Sequence, residues 1–164
     1  MRRTILGAIV LIGACMAAVL LPAGSASAHD FRVGDLIIGH PWTRAVTPRA
    51  PTAVGYMAIH NTGRVADRLI AAETPQASQV ELHETSMTDG IMRMRPIPRG
   101  IEIPPGQEVL LAPSGLHLML ISPRGTFTQG ARVPLTLVFE QAGRIDVELA
   151  VEAPGARGAG HAGH

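Results

Sequence analysis

The segment VELHETSMTDGIMRMRPI, residues 80–97, does most to decide the fold of this chain. Two short runs with alternating side chains flank the dipeptide Asp89-Gly90. Asp-Gly between two such runs predicts a β-hairpin closed by a two-residue turn. The register that follows from this turn places these residues opposite each other: Thr88 and Ile91, Met87 and Met92, Thr85 and Met94, His83 and Pro96.

This register also predicts which side chains share a face of the hairpin. Strand side chains alternate, so odd-numbered residues before the turn share a face with even-numbered residues after it. His83 and Met94 are then diagonal neighbours, with backbones about 7–8 Å apart. Their long side chains can close around one ion, and Met87 and Met92 lie on the same face.

A second segment, GLHLML at residues 115–120, offers the same pair of side chains on one strand. His117 and Met119 are two residues apart and therefore point the same way. The intervening leucines point to the other face, which we expect to be the core: Leu116, Leu118 and Leu120.

Together these segments supply two imidazoles and two thioethers from His83, Met94, His117 and Met119. Imidazole with soft sulfur is a donor set that selects Cu(I). Taken singly, a strand histidine is usually a surface or hydrogen-bonded residue, and methionine commonly fills gaps in cores. The alternation of histidine with methionine on shared faces favours a Cu(I) site, because a core thioether does not need a histidine beside it.

The spacing His-x10-Met-x22-His-x-Met, within the phrases HETSMTDGIMRMR and LHLML, resembles the periplasmic copper chaperones of the PCu(A)C family. Nearly the whole mature chain is similar to segments of that family. The similar segments are GHPWTRA (39–45), GYMAIHNTG (55–63), ADRLIAA (66–72), IPPGQEVLLAPSG (103–115) and FEQAGRIDVELAVE (139–152).

The resemblance implies a cupredoxin-like β-barrel that binds copper and passes it towards assembly of the copper centres of cytochrome c oxidase. Its partners would be copper ions and, as recipient, a subunit of that oxidase or another copper chaperone. The family spacing also implies that the four donors form one Cu(I) site.

The N-terminus has the features of a secretory signal peptide at residues 1–28. Met1-Arg2-Arg3 is basic, residues 5–21 are nearly all apolar, and Ala26-Ser27-Ala28 is a small-residue cleavage site. Pro22 follows the apolar run too closely to favour a permanent membrane span. We therefore expect export to the periplasm and a mature chain, residues 29–164, without a membrane span.

The only cysteine, Cys15, lies inside the apolar run after Ile12-Gly13-Ala14. This context is faintly similar to a lipoprotein site, but the apolar run continues well past Cys15, so we expect it to be removed with the leader. The mature chain then has no disulfide and no thiolate ligand for copper. It also lacks the cysteine that a blue-copper electron carrier requires.

Composition excludes several other functions. Without Arg2 and Arg3 the chain keeps 12 basic residues against 13 acidic ones, a formal charge of −1 and no basic patch for nucleic acid. Aromatic residues make up 3% of the chain, too few for a stacking platform. There is no nucleophile elbow, no HExxH and no carboxylate pair beside a base, so we do not expect an enzyme. A domain of this size can bury its own core, and we expect a monomer.

The pattern of apolar runs predicts an all-β domain at residues 29–152, a Greek-key barrel or sandwich that the resemblance specifies as cupredoxin-like. Turn residues separate the runs. Residues 64–77 are the only place for a helical turn, Pro134 indicates a strand edge or bulge, and residues 139–145 a closing hairpin. The predicted strands are 35–38, 55–60, 80–85, 91–97, 108–112, 116–122, 133–139 and 145–151.

The Gly/Ala-rich segment 153–164 cannot bury a core, so we expect a flexible tail. Its His161 and His164 are candidate ligands for Cu(II), which prefers nitrogen, although two tail histidines can equally be incidental. Cleavage after Ala28 would make His29 a second candidate, through its amine and imidazole. For His40 and His60 we expect structural or surface roles.

Two interpretations from different classes remain. In the first, the chain is a Cu(I) chaperone that holds the ion in an exposed His/Met site. In the second, it is a non-metal β-sandwich interaction module of the cell envelope, and the Met-rich face is a contact surface. The alternation of histidine with methionine favours the first, since a contact surface does not need it.

Overall fold

The computed structural model describes residues 30–125 and 127–158. Within these ranges the chain forms eleven strands and no helix, which confirms the all-β prediction. The signal peptide, Cys15, His29, His161 and His164 lie outside the described residues. The strands are β1 (Phe31–Val33), β2 (Leu36–Arg44), β3 (Thr52–Asn61), β4 (Asp67–Glu73), β5 (Gln79–Thr88), β6 (Ile91–Pro96), β7 (Ile101–Ile103), β8 (Glu108–Leu111), β9 (Leu116–Ile121), β10 (Arg132–Phe139) and β11 (Gly143–Glu152).

The strands form one continuous hydrogen-bonded sheet in the order β6-β5-β9-β8-β3-β2-β11-β10-β4-β7, with β1 paired to β2 and β9 also paired to β3. Most pairs are antiparallel, while β11 with β2 and β8 with β9 are parallel. Strands from the whole length of the sheet contribute to one apolar cluster, for example Leu118 of β9, Leu135 of β10 and Leu69 of β4. The sheet therefore curls around a single core.

Alternation along the strands builds this core. In β10, Val133, Leu135, Leu137 and Phe139 are all buried, and the residues between them face outwards or are half-buried. This is the period of two that the sequence shows, and it places every second side chain of the strand in the core. The closing hairpin predicted at residues 139–145 is present, with Phe139 opposite Gly143.

The prediction that residues 64–77 could form a helical turn is wrong, because this segment contains strand β4. β4 pairs with β10 on one side and with β7 on the other. The carboxylate of Asp67 accepts the backbone N–H groups of Gln141 and Ala142, both at 2.9 Å. The hydrogen-bond partners of β4 are thus distant in sequence, and a local pattern does not reveal them.

Pro134 lies at a locally unpaired edge of β10, as its sequence indicated. β4 begins to pair with β10 only at Thr136. At position 134 the backbone carbonyl accepts a hydrogen bond from the Thr74 hydroxyl at 2.6 Å instead. The missing N–H of proline therefore removes no bond from the sheet.

The hairpin of β5 and β6 has the register that the sequence predicts, from Thr88 opposite Ile91 to His83 opposite Pro96. Asp89 and Gly90 both have positive φ angles, 52° and 74°, as the favoured two-residue turn requires. β6 forms one edge of the sheet, and β5 pairs on its other side with β9. This second pairing brings the two histidine segments together.

Candidate metal centre

The pairing of β5 with β9 places His83 directly opposite His117. Their ring centres are 5.8 Å apart and the ring planes are inclined by 53°. Both residues are buried, with 8% and 3% of their surface exposed. The site is thus less open than the sequence suggested, since its imidazoles lie beneath the surface.

One nitrogen of each imidazole is held by a hydrogen bond. Nε2 of His83 lies 2.7 Å from a carboxylate oxygen of Glu81, and Nδ1 of His117 lies 3.0 Å from the backbone oxygen of Gly115. Carboxylate and carbonyl oxygens accept, so both of these nitrogens donate. The other nitrogen of each neutral ring then carries a free lone pair.

These two lone pairs have no partner. Nδ1 of His83 and Nε2 of His117 are buried atoms without a hydrogen bond, two of the three such side-chain atoms among residues 30–125 and 127–158. An unsatisfied buried polar atom costs about 1–3 kcal/mol. Ligating histidines characteristically donate their second N–H to a carboxylate or carbonyl, as both rings do here.

The ring separation fits one shared ion. A metal–nitrogen bond of about 2.0 Å puts the metal roughly 3 Å from a ring centre, so two rings that bind one ion have centres within about 6.5 Å. The observed 5.8 Å satisfies this limit. The two imidazoles can therefore act as one pair of nitrogen ligands.

The methionines reach the same face through the registers of β5. Met119 lies opposite Glu81, two residues from His117, and is half-buried. Met94 lies opposite Thr85, diagonal to His83, and is 47% exposed. The structure thus arranges all four predicted residues on one face of three adjacent strands.

An open cavity of about 650 Å³ adjoins this face. Met94 and His117 both line it, together with Thr85 and the guanidinium-bearing residues Arg44 and Arg157. Within the described residues, no three side chains of His, Cys, Asp or Glu are grouped to hold a metal. Met94 and Met119 place sulfur on the same face as the two imidazoles, and a donor set of imidazole and thioether would favour a soft ion.

Tyr56 also lines this cavity and packs against the ring of Trp42. The rings of Trp42 and Tyr56 are 4.6 Å apart, and the guanidinium of Arg44 lies 5.9 Å and 5.7 Å from their centres. Burial raises the pKa of Tyr56, and the charge of Arg44 partly opposes that rise. The phenol therefore stays protonated at neutral pH.

Arg44 and Trp42 also hold the start of the C-terminal segment. Nε of Arg44 donates to the backbone oxygen of Ala156 at 2.8 Å. Gly158 lies so close to Trp42 that an added Cβ would be 3.1 Å from the indole ring. Arg157, between these two contacts, is thereby brought to the cavity that His117 lines.

Glu81 was not predicted from the sequence. It is two residues from His83, so the strand period alone would have placed both on one face. Glu84, the direct neighbour of His83 in the chain, is exposed on the opposite face. Arg44, Tyr56 and Arg157 carry no comparable local signal, because each reaches the cavity from a distant part of the chain.

The other described histidines lie apart from this site. His40 is at the bulge where β2 departs from regular pairing with β3, with a φ of 44°, and its Nε2 is 2.9 Å from Glu152. His60 lies in β3 opposite Ile37 and Glu108. Both positions agree with the structural or surface roles expected for them.

Sequence comparisons identify relatives over most of the chain. The family model described as "Putative lipoprotein LpqE-like" matches residues 36–151. A Leifsonia xyli subsp. xyli protein named "Putative lipoprotein Lxx21020" is 30% identical over 152 residues, which are 93% of this chain and 89% of that protein. In residues 30–125 and 127–158, no helix is long and apolar enough to cross a membrane.

Solved structures also resemble most of this chain. The copper-bound PCuAC domain from PmoF2 is 32% identical with a TM-score of 0.66, covering 77% of this chain and 99% of that domain. The solution structure of CuI-DR1885 from Deinococcus radiodurans is 25% identical with a TM-score of 0.60, covering 84% and 89%. These matches confirm the predicted PCu(A)C resemblance and the cupredoxin-like fold.

Proposed function

The chain belongs to the LpqE-like family, and we propose that it is a copper chaperone of the cell envelope. In this proposal His83, Met94, His117 and Met119 together bind one Cu(I) ion. The observation that carries this proposal is the pair of buried, unpartnered nitrogens on His83 and His117. Bound copper gives each lone pair a partner and removes the cost of leaving it unsatisfied.

The donor set favours Cu(I) over other ions. Two thioethers and two neutral imidazoles suit a soft monovalent ion, whereas zinc is usually held by Cys, His or carboxylate. One similar structure contains Cu(I), and another contains copper. Copper here is cargo, so the site has to release it as well as hold it.

The surroundings favour release. All four proposed ligands are neutral, and Arg44 and Arg157 place positive charge along the same cavity. Like charge disfavours a bound cation. Met94 is 47% exposed, so a partner can reach the ion from that side and replace one ligand at a time.

We propose cytochrome c oxidase copper-centre assembly as the destination, with an oxidase subunit or another copper chaperone as recipient. The support is the PCu(A)C resemblance together with the exposed Met94 side of the site. A purified recipient should gain Cu(I) from the loaded chain in a mixing experiment. No gain would contradict the proposed destination but not copper binding by this chain.

A Cu(I) competition titration tests carriage itself. The mature chain should bind one tight equivalent against a colorimetric Cu(I) chelator. Met119→Leu keeps volume and apolarity but removes the sulfur, so unfolding free energy should change by less than about 1.5 kcal/mol. Copper affinity should fall sharply. Met57→Leu, a swap at a fully buried methionine, is the matched control and should bind as the parent does.

The proposal fails if Met119→Leu and Met57→Leu bind Cu(I) equally well. It fails also if the mature chain keeps zinc in preference to copper in an equimolar mixture under reducing conditions. Elemental analysis after removal of free metal reads out the second outcome.

For the tail, we propose that His161 and His164 form a weaker Cu(II) site. The contacts of Ala156 and Gly158 anchor the preceding segment beside Arg44 and Trp42. His161 is three residues further on and so within about 11 Å of Gly158. Paramagnetic resonance of added Cu(II) should lose its nitrogen-ligated signal when both histidines are changed to Ala. An unchanged signal would point to His29 and its amine.

The location proposed is the periplasm, reached through the signal peptide at residues 1–28. The relatives' names contain the word lipoprotein, which supports an envelope location and makes Cys15 the position to check. A mature mass that begins at His29 supports cleavage after Ala28, and a lipid-modified Cys15 would contradict it.

A further inference from the structure

Two further thioethers lie on the site face, the face of β5, β6 and β9 that carries His83, Met94, His117 and Met119. They are not among these four proposed ligands. Met87 and Met92 are directly opposite each other in the β5–β6 hairpin, next to its turn. They are 63% and 60% exposed, whereas Met57 in the core is 1% exposed. Their exposure excludes the ordinary role of methionine as a filler of core gaps.

We propose that Met87 and Met92 form a second, weaker Cu(I) site from which the ion passes to Met94. This inference rests on the proposed function, because it supplies the site of His83, Met94, His117 and Met119 with its copper. It adds a place where copper first enters the protein.

The register supports convergence of the two sulfur atoms. Residues directly opposite in an antiparallel pair have Cβ atoms about 4.5–5.5 Å apart. Methionine is unbranched and has three rotatable bonds, so both thioethers can turn towards one ion between them. Sulfur without any charged ligand suits Cu(I) and holds it weakly.

The next thioether along β6 continues the same face. Met94 is two residues from Met92, about 6.6 Å along the strand, and is diagonal to His83. The ion can move by ligand exchange, in which a bond to the sulfur of Met94 forms as the bond to Met92 breaks. Copper remains Cu(I) throughout, so the step needs no oxidant or reductant.

The distribution of sulfur across the hairpin favours a metal site over a simple apolar contact. All three methionines of the hairpin lie on the site face, while Glu84, Arg93 and Arg95 lie on the other. The exposed apolar residue Ile91 is also on that other face. A contact surface needs apolar area but not sulfur confined to one side.

The test uses the full mature chain and the double variant Met87→Leu/Met92→Leu, both titrated with Cu(I) without oxygen. The parent should bind a second, weaker equivalent that shifts the ε-methyl resonances of Met87 and Met92. The double variant should lose that equivalent, keep the affinity of the tight one within about twofold, and load more slowly. The full chain with His161→Ala/His164→Ala should retain the second equivalent.

A second equivalent that survives in the double variant, or that disappears with the tail histidines, overturns the proposal. An error in the proposed four-ligand site would give a different experimental result from an error in the hairpin site. If Met119→Leu leaves the tight equivalent intact, the proposed four-ligand site is wrong, whereas the methyl shifts of Met87 and Met92 report only on the hairpin site.

Discussion

Two long hairpins of this protein both have alternating side chains, but they differ in how much of their apolar surface is buried. In the β10–β11 hairpin every second residue of β10 is buried, and residues from both strands join the core. In the β5–β6 hairpin every residue of β6 is exposed, and Met87, Ile91, Met92 and Met94 are large apolar side chains left in solvent.

The difference follows from position in the sheet. β10 has a strand on each side, β11 and β4, and its inner face covers the core. β6 is an edge strand that pairs only with β5. The hydrophobic effect therefore accounts for the side chains of β10 but not for those of β6, whose thioethers stay exposed.

The largest expected effect comes from the buried hairpin. Leu137→Ala removes a fully buried side chain of β10 and should lower the free energy of unfolding by about 2–5 kcal/mol. Met92→Leu in β6 keeps volume at an exposed position and should change it by less than about 0.5 kcal/mol. Chemical denaturation measures both. Similar losses at the two positions would remove the contrast between the hairpins.

Substitution of Glu81 should have an intermediate effect, and this effect should be on Cu(I) affinity rather than on the free energy of unfolding. Its carboxylate orients the buried ring of His83. Partners of this kind typically contribute 10–100-fold to metal affinity, so Glu81→Ala should weaken Cu(I) binding by about that factor. Glu84→Ala changes the neighbouring carboxylate on the exposed opposite face and is the matched control. Equal affinities of the two variants would show that Glu81 does not position the ligand.

The smallest effect concerns the two turns. Gly90 and Gly143 both have positive φ, 74° and 83°, and an added Cβ would meet nothing within 4 Å at either position. Alanine therefore introduces only backbone strain, about 1–2 kcal/mol. Gly143→Ala should lower global stability by about that amount.

Gly90→Ala should affect mainly the edge hairpin, because local opening of β6 relieves its strain. Amide exchange of β6 should accelerate while the denaturation midpoint moves less than in Gly143→Ala. Equal shifts of the two midpoints would mean that β6 unfolds only together with the core.

Much of the strand pattern was predictable. All eight predicted strands are present, and the Asp89-Gly90 turn fixed the hairpin register correctly. The strand β4 was missed because its pairing with β10 and β7 outweighs its local preference. The short strands β1 and β7 were missed because three residues carry too little pattern.

Local patterns in the sequence suffice for three features: the alternation that selects an all-β fold, the register of β5 with β6, and the shared face of His117 and Met119. The position of His83 opposite His117, the burial of both imidazoles and the approach of Arg157 to the same cavity depend on the folded sheet. Pairing between strands distant in the chain depends on how the whole sheet closes around its core, and no single segment contains that information.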